Sequence, residues 1–183
     1  YIKDVGTPER LDQVEHDITA GVPERLSGRT LRSAVFLDRD GTLNREVHHL
    51  NAPEQLELLS GAADAVRRIN RTGRLAIVVT NQPAVARGDL TPAGLERIHR
   101  KLKGMLGRHG AYLDAIFACP HHPDGGFSGE VRELKRECEC RKPRTGLIDA
   151  ACRDLAIDRG TSWIVGDTTS DIETGRRAGL RTI

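Results

Sequence analysis

Four short apolar runs punctuate the chain: Ala34-Val-Phe-Leu37, Leu75-Ala-Ile-Val-Val-Thr80, Leu113-Asp-Ala-Ile-Phe-Ala118 and Ser162-Trp-Ile-Val-Gly166. Each is too short for a helix, and most of its positions are β-branched, aromatic or aliphatic with little polar alternation. That is the pattern of a parallel strand covered on both faces. Leu180-Arg-Thr-Ile183 reads as the start of a fifth strand. Between the runs the apolar residues change to helical spacing. Ala62, Val66 and Ile69 mark the inner face of a helix from Ser60-Gly61 to about Asn70, closed by Gly73. Leu95, Ile98, Leu102 and Leu106 mark one opened by Thr91-Pro92 and ending near Gly110, with His99 and His109 read as surface residues. Leu147, Ile148, Ala151 and Leu155 mark a third after Thr145, with Cys152 a core residue on the same face, and Ile172 to Ala178 a short fourth ended by Gly179. Strands alternating with helices predict one α/β domain over residues 34–183, with a parallel sheet and helices on both faces. Ahead of it, Thr7 caps a helix to about Ala20 with Pro8 in its first turn; Gly21 ends it, and Val22 to Ser33 reads as a linker. Arg45 to Ser60, with Pro53, reads as an irregular functional loop in which His48 and His49 either touch substrate or lie in solvent.

Bulk properties narrow the function classes. A chain of 183 residues suits one domain with a normal core. A formal charge of +2 with 3% aromatics argues against a nucleic-acid or membrane-surface partner. No apolar stretch approaches the roughly 18 residues needed to span a bilayer. No secretory pattern opens the sequence, so the expectation is a cytoplasmic protein, in which four cysteines suggest a metal or buried thiols before a disulfide.

The chemistry concentrates where the apolar runs end. Leu37 is followed by Asp38-Arg-Asp40-Gly-Thr-Leu-Asn44. Alternation along an extended chain sends Asp38 and Asp40 to one side where the chain leaves the sheet, and Gly41 permits the tight exit. Open parallel sheets bind ligands beyond the carboxyl ends of their strands, and two carboxylates this close call for Mg²⁺ or a shared proton. The same residue types also make ordinary turns. Thr80 and Asn81 end the second run and are placed to hydrogen-bond a phosphoryl oxygen. Asp167 leaves the fourth run, with Asp171 in the first turn of the next helix, where an aspartate also serves as a plain cap.

A second constellation is Cys119-Pro-His121-His-Pro123 with Cys138-Glu-Cys140. Three thiolates and one imidazole in two tight pairs, closed by segment 122–137, supply the four soft ligands of a structural Zn²⁺ site with no open position for a water. A reduced thiol cluster, or a disulfide from Cys119 to Cys138 or Cys140, is the other reading, and His122 competes with His121 as the ligand.

Taken together, Asp38-x-Asp40-Gly-Thr, Thr80, Lys142 and Asp167-x-x-x-Asp171 resemble, in order, the four motifs of the haloacid dehalogenase-like phosphatases, from about Ala34 onward. Thr80-Asn-Gln-x-x-x-Ala-Arg-Gly88 and the cysteine loop resemble the heptose bisphosphate phosphatase and histidinol phosphatase group, with Pro83-Ala84 standing where Ser-Gly is usual. The resemblance implies a Rossmann-like parallel sheet, a zinc-stapled loop in place of a large cap domain, and His121 as the zinc ligand. It implies hydrolysis of a phosphomonoester through an aspartyl phosphate on Asp38, with Asp40 as acid and base. Asp38, Asp40 and Asp167 would hold Mg²⁺ with Asp171 in support. Thr80, Asn81, Gln82, Arg87, Arg141 and Lys142 would meet a phosphorylated sugar, expected to be D-glycero-D-manno-heptose 1,7-bisphosphate losing its 7-phosphate. Histidinol phosphate is the alternative substrate, and a non-catalytic zinc-stabilised assembly domain the alternative class. Tyr1 to Leu11 resembles the closing stretch of a sugar-1-phosphate nucleotidyltransferase. This implies that residues 1–33 are a remnant and linker of a fused domain, in which Asp4 is inert.

Overall fold

The apolar runs form the sheet they predict. The structure, a computed structural model, describes residues 6–26, 30–47, 50–126 and 128–183. Strands β1 (Ala34–Leu37), β2 (Leu75–Asn81), β3 (Ala115–Cys119), β4 (Trp163–Val165) and β5 (Arg181–Thr182) make one sheet in the order β3-β2-β1-β4-β5. Every pairing is parallel: β1 lies between β2, with Leu37 opposite Val78, and β4, with Leu37 opposite Val165.

Alternation along the central strands divides the core in two. Val35, Leu37, Ala76 and Val78 face a cluster built with α3 (Ala62–Arg71), α4 (Pro83–Arg87) and α5 (Pro92–Gly107). Ala34, Phe36, Leu75, Ile77 and Val79 face α6 (Gly146–Leu155) and α7 (Thr169–Ala178). All four residues of β1 are buried, because a strand covered on both faces has no polar side to show. Burying one Leu, Ile or Phe side chain is worth about 1.5–3 kcal/mol, so the central strands bind the two layers together more strongly than any surface ion pair does.

Two elements differ from expectation. The stretch read as a linker begins with a short helix, α2 (Val22–Leu26), after α1 (Pro8–Thr19), which buries none of its residues. Residues 45–47 and 50–60 hold one 3-10 turn, Pro53–Gln55, and are anchored: Leu50 and Leu56 enter the core, and the Arg45 amide donates to the Glu57 carbonyl. The expectations for Asp4, His48 and His49 fall outside the described residues. Among those described, no helix is long and apolar enough to cross a membrane. The parallel topology brings the carboxyl ends of β1, β2, β3 and β4 to one edge, which sets Asp38, Thr80, Cys119 and the turn to Asp167 beside one another.

Candidate active site

Asp38 leaves β1 with its amide bonded to the Val165 carbonyl, which ties the first carboxylate to the strand that delivers Asp167. Its carboxylate is buried and lies 2.8 Å from the Lys142 ammonium. Lys142 Nζ also donates to Asp171 at 2.5 Å and to the Val79 carbonyl at 3.0 Å, so its three protons are shared between two carboxylates and the end of β2. Asn81 clasps the Lys142 backbone from both ends of its amide: Oδ1 accepts from the Lys142 amide at 3.0 Å and Nδ2 donates to the Lys142 carbonyl at 3.2 Å. Asn81 thus fixes the lysine backbone at the wall of the cleft that both residues line. Burial raises the Asp38 carboxyl above the usual range against the pull of Lys142, with Asp171 adding to the rise.

Asp167 and Asp38 offer carboxylate oxygens within 4.8 Å of each other, close enough to share a hard cation. The approach depends on Gly41, whose φ is +77°; a methyl there would lie 2.0 Å from Asp167 Oδ2. Asp171 is within the same reach, but Lys142 and the start of α7 occupy it: its carboxylate accepts from the Thr168 amide at 3.2 Å and the Thr168 hydroxyl at 2.6 Å. Asp171 therefore holds Lys142 and caps α7.

Asp40 turns to a different cation. Arg39, which is 1% exposed, donates to its carboxylate from Nε at 3.1 Å and Nη2 at 2.7 Å, and Asn44 and Gln82 each donate at 2.9 Å. Burial alone would raise the Asp40 carboxyl; the Arg39 charge and these hydrogen bonds outweigh it and hold the group below the usual carboxylate range. Gln82, expected among the substrate contacts, spends its amide on Arg39, Asp40 and the Thr80 hydroxyl oxygen. Thr80 is buried at the end of β2, and as it accepts from Gln82 its own O–H remains to donate into the cleft. Arg87 and Arg141 line the same cleft, which encloses about 320 Å³ together with Asp38, Lys142 and Asp167.

His99 corrects the sequence reading. It is 7% exposed, not a surface residue, and its Nε2 sits 3.4 Å from Arg39 Nη1. The signal was present: His99 falls four residues after Leu95 and three before Leu102, on the inner stripe of α5. Burial and then Arg39 pull its pKa down to about 4. The unfolded chain, with an ordinary histidine near 6.5, therefore binds more protons than the folded one as pH falls from 6.5 to 4. Stability conferred by the neutral ring is complete above pH 6.5 and lost on acidification, by up to about 3 kcal/mol. Thermal unfolding scans should show Tm falling through this window for the native protein and a flatter profile for His99→Gln; parallel profiles would refute the assignment.

The cysteine loop closes as spaced. Cys119 Sγ, His121 Nδ1, Cys138 Sγ and Cys140 Sγ lie within 4.8 Å of one another, and all the cysteines are free. Cys140 Sγ is 3.1 Å from Cys119, 3.3 Å from Cys138 and 3.3 Å from His121 Nδ1. A Zn²⁺ tetrahedron with bonds of about 2.3 Å has edges of roughly 3.8 Å, and the Cys140 separations of 3.1–3.3 Å are shorter than that, so a bound ion would spread the donors slightly. Burial pushes the Cys119 thiol well above its usual range, and a cation at the centre would remove that penalty. His122 lies outside the cluster, its Nε2 3.4 Å from Arg87 Nη2. The loop reports to the catalytic edge directly: Arg141 Nη1 donates to the His121 carbonyl at 3.3 Å, and Lys142 is the next residue.

Comparison with known proteins places the chain among phosphatases. Residues 139–183 match a family model described as HAD-hydrolase-like. The D-glycero-beta-D-manno-heptose-1,7-bisphosphate 7-phosphatase of Salmonella typhi is 36% identical over 149 residues, 81% of this chain and 77% of that protein. The protein of the same name from Escherichia coli K12 is 37% identical, over 81% of this chain and 76% of its own length. Among solved structures, the D,D-heptose 1,7-bisphosphate phosphatase of B. bronchiseptica, complexed with magnesium and phosphate, superposes with a TM-score of 0.72 at 32% identity, covering 82% of this chain and 78% of that one.

Proposed function

The chain belongs to the haloacid dehalogenase-like phosphatases and is a phosphomonoester hydrolase, and from that premise we propose that it works through an aspartyl phosphate on Asp38. The observation that carries the proposal is the division of two neighbouring carboxylates between two cations, Asp38 on Lys142 at 2.8 Å and Asp40 on Arg39 at 2.7 Å. Lys142 beside Asp38 offsets the charge that a carboxylate and an incoming phosphate bring together. The Asp38 oxygen attacks phosphorus in line, the bond to the leaving oxygen breaks, and a proton delivered through Asp40 neutralises that oxygen. Water then attacks the same phosphorus, Asp40 takes its proton, and the Asp38 carboxylate is regenerated. Arg39 and its neighbours keep Asp40 a carboxylate in this structure and fill its acceptor positions; taking a proton from water requires one of those donors to give way, and acting as acid requires Asp40 to gain a proton and turn from Arg39. Thr80 O–H and Lys142 face the phosphoryl oxygens.

Asp38 and Asp167, whose carboxylate oxygens lie within 4.8 Å, would hold Mg²⁺ together with the Asp40 carbonyl, an all-oxygen set that suits this ion, which when bound would neutralise charge on the phosphoryl group. Cys119, His121, Cys138 and Cys140 fit a structural Zn²⁺. For the substrate we take the 7-phosphate of D-glycero-D-manno-heptose 1,7-bisphosphate, supported by the relatives' activity and by Arg87 and Arg141 lining the cleft, where either can pair with a second phosphate. A nucleotidyltransferase fused ahead of residue 34 would take up the resulting sugar 1-phosphate; that support is sequence resemblance alone. The test compares kcat/KM for the bisphosphate and for histidinol phosphate at equal Mg²⁺. We expect the bisphosphate to be preferred at least about tenfold, and Arg141→Ala to erode the preference by about 10-fold or more, the worth of one charge-assisted hydrogen bond. Equal turnover of both substrates, or a preference untouched by Arg141→Ala and Arg87→Ala, would overturn the substrate assignment.

A further inference from the structure

We propose that Arg39, locked between His99 and Gln82, is a positioning residue that aims Asp40 at the water that releases phosphate. The inference rests on the aspartyl-phosphate reading of Asp38 and adds to it the group that governs the second half-reaction. Arg39 is the largest fully buried side chain among the described residues, an expensive place for a guanidinium unless every donor is used. Nε and Nη2 form a fork on the two Asp40 oxygens, Nη2 also donates to Gln82 Oε1 at 2.9 Å, and Nη1 meets His99 Nε2 at 3.4 Å. Gln82 returns from the same amide to Asp40 Oδ2 at 2.9 Å, closing a ring of Arg39, Gln82 and Asp40. The neutral ring of His99, carried by α5 across 60 positions of sequence, serves as an acceptor for the guanidinium at its far end.

A fork has one orientation, which a lysine in the same place would not impose. Two hydrogen bonds from one rigid plane hold the Asp40 carboxylate in a single rotamer; Asn44 and Gln82, each at 2.9 Å, fill its other two acceptor positions, and the water reaches the carboxylate by taking the place of one of these amides while the fork stays. Dephosphorylation needs such a fixed base: the water oxygen bonds to phosphorus, its proton passes to Asp40, the bond from phosphorus to the Asp38 oxygen breaks, and that electron pair returns to the Asp38 carboxylate. Phosphorylation by an ester whose leaving group is stable as an anion needs no proton from Asp40, so the two halves can be read apart.

The experiment uses p-nitrophenyl phosphate with the Mg²⁺-loaded protein in a rapid-quench instrument, following nitrophenolate release and protein-bound phosphate together. Arg39→Lys and His99→Leu should slow steady-state turnover by about 10- to 100-fold while leaving the first turnover close to native. Nitrophenolate should then appear in a burst approaching one per site, with phosphate accumulating on the protein. His99→Gln, which keeps an acceptor for Nη1, should restore most of the turnover. A structural role alone would lower both halves with the folded fraction and give no burst. Turnover that is unchanged, or that falls without bound phosphate accumulating, overturns the inference. Should Arg39→Lys fail to fold, the two His99 variants, which leave Arg39 and Asp40 in place, decide the question. Mass spectrometry placing the phosphate on a residue other than Asp38 would defeat the underlying reading and not the positioning of Asp40.

Discussion

Asp38→Asn is expected to abolish Mg²⁺-dependent phosphatase activity, lowering kcat by about four orders of magnitude or more, a barrier increase of roughly 5 kcal/mol. The amide has nearly the volume of the carboxylate but no charge to attack with, so the loss falls on chemistry. The fold should tolerate the change, because Lys142 keeps Asp171 at 2.5 Å and the Val79 carbonyl at 3.0 Å, and its ammonium is not left buried and unpaired. Native-like thermal unfolding of the inactive variant is therefore part of the expectation. Asp40→Asn is the informative partner: it retains the nucleophile and should carry phosphate after exposure to p-nitrophenyl phosphate, since the attacking water has lost its base. An Asp38→Asn protein holding more than about a tenth of native activity would rule out the covalent scheme.

Cys140→Ser is expected to be the most damaging substitution for the fold. Its sulfur is the closest neighbour of the other three donors, at 3.1 Å from Cys119 and 3.3 Å from both Cys138 and His121. A structural zinc contributes about 10 kcal/mol on binding, comparable to the 5–15 kcal/mol that holds a whole domain together. Losing it should release the loop that carries Arg141 and Lys142 and lower activity through the lysine beside Asp38, although no catalytic atom has been removed. Elemental analysis should find about one zinc per chain in the native protein and almost none in Cys140→Ser. Cys152→Ser is the control, since Cys152 packs against the α6 side of the core and is not among the four donors that lie within 4.8 Å of one another, and its replacement should leave zinc content intact. Native protein purified without chelator that contained no zinc and offered all its thiols to titration would refute the assignment.

The features that arise from neighbours in sequence are the ones the sequence determined by itself. Unbroken apolar runs with no polar face require cover on both sides, so Ala34–Leu37 and the run from Leu75 to Val79 read as interior parallel strands, which they are. Asp38, Thr80 and Asp167 follow such runs directly, and the edge they reach is set by strand direction. The two cysteine pairs are local in the same sense, since a one-residue gap already fixes two corners of a tetrahedron. The tertiary structure decided what depends on partners far apart in the chain. Which cation each aspartate takes is invisible in Asp-Arg-Asp, because an arginine between two acids suits either; the choice is made by Lys142 arriving from the cysteine loop and by His99 and Gln82 gripping Arg39. The sequence could place Asn81 and Gln82 at the end of β2, yet only packing showed their amides committed to Lys142 and Asp40. Periodicity records whether a position faces inward and is silent on which distant group meets it there. For a buried charge that missing partner outweighs everything local, because an ion removed from water must find its counter-charge within a few ångströms.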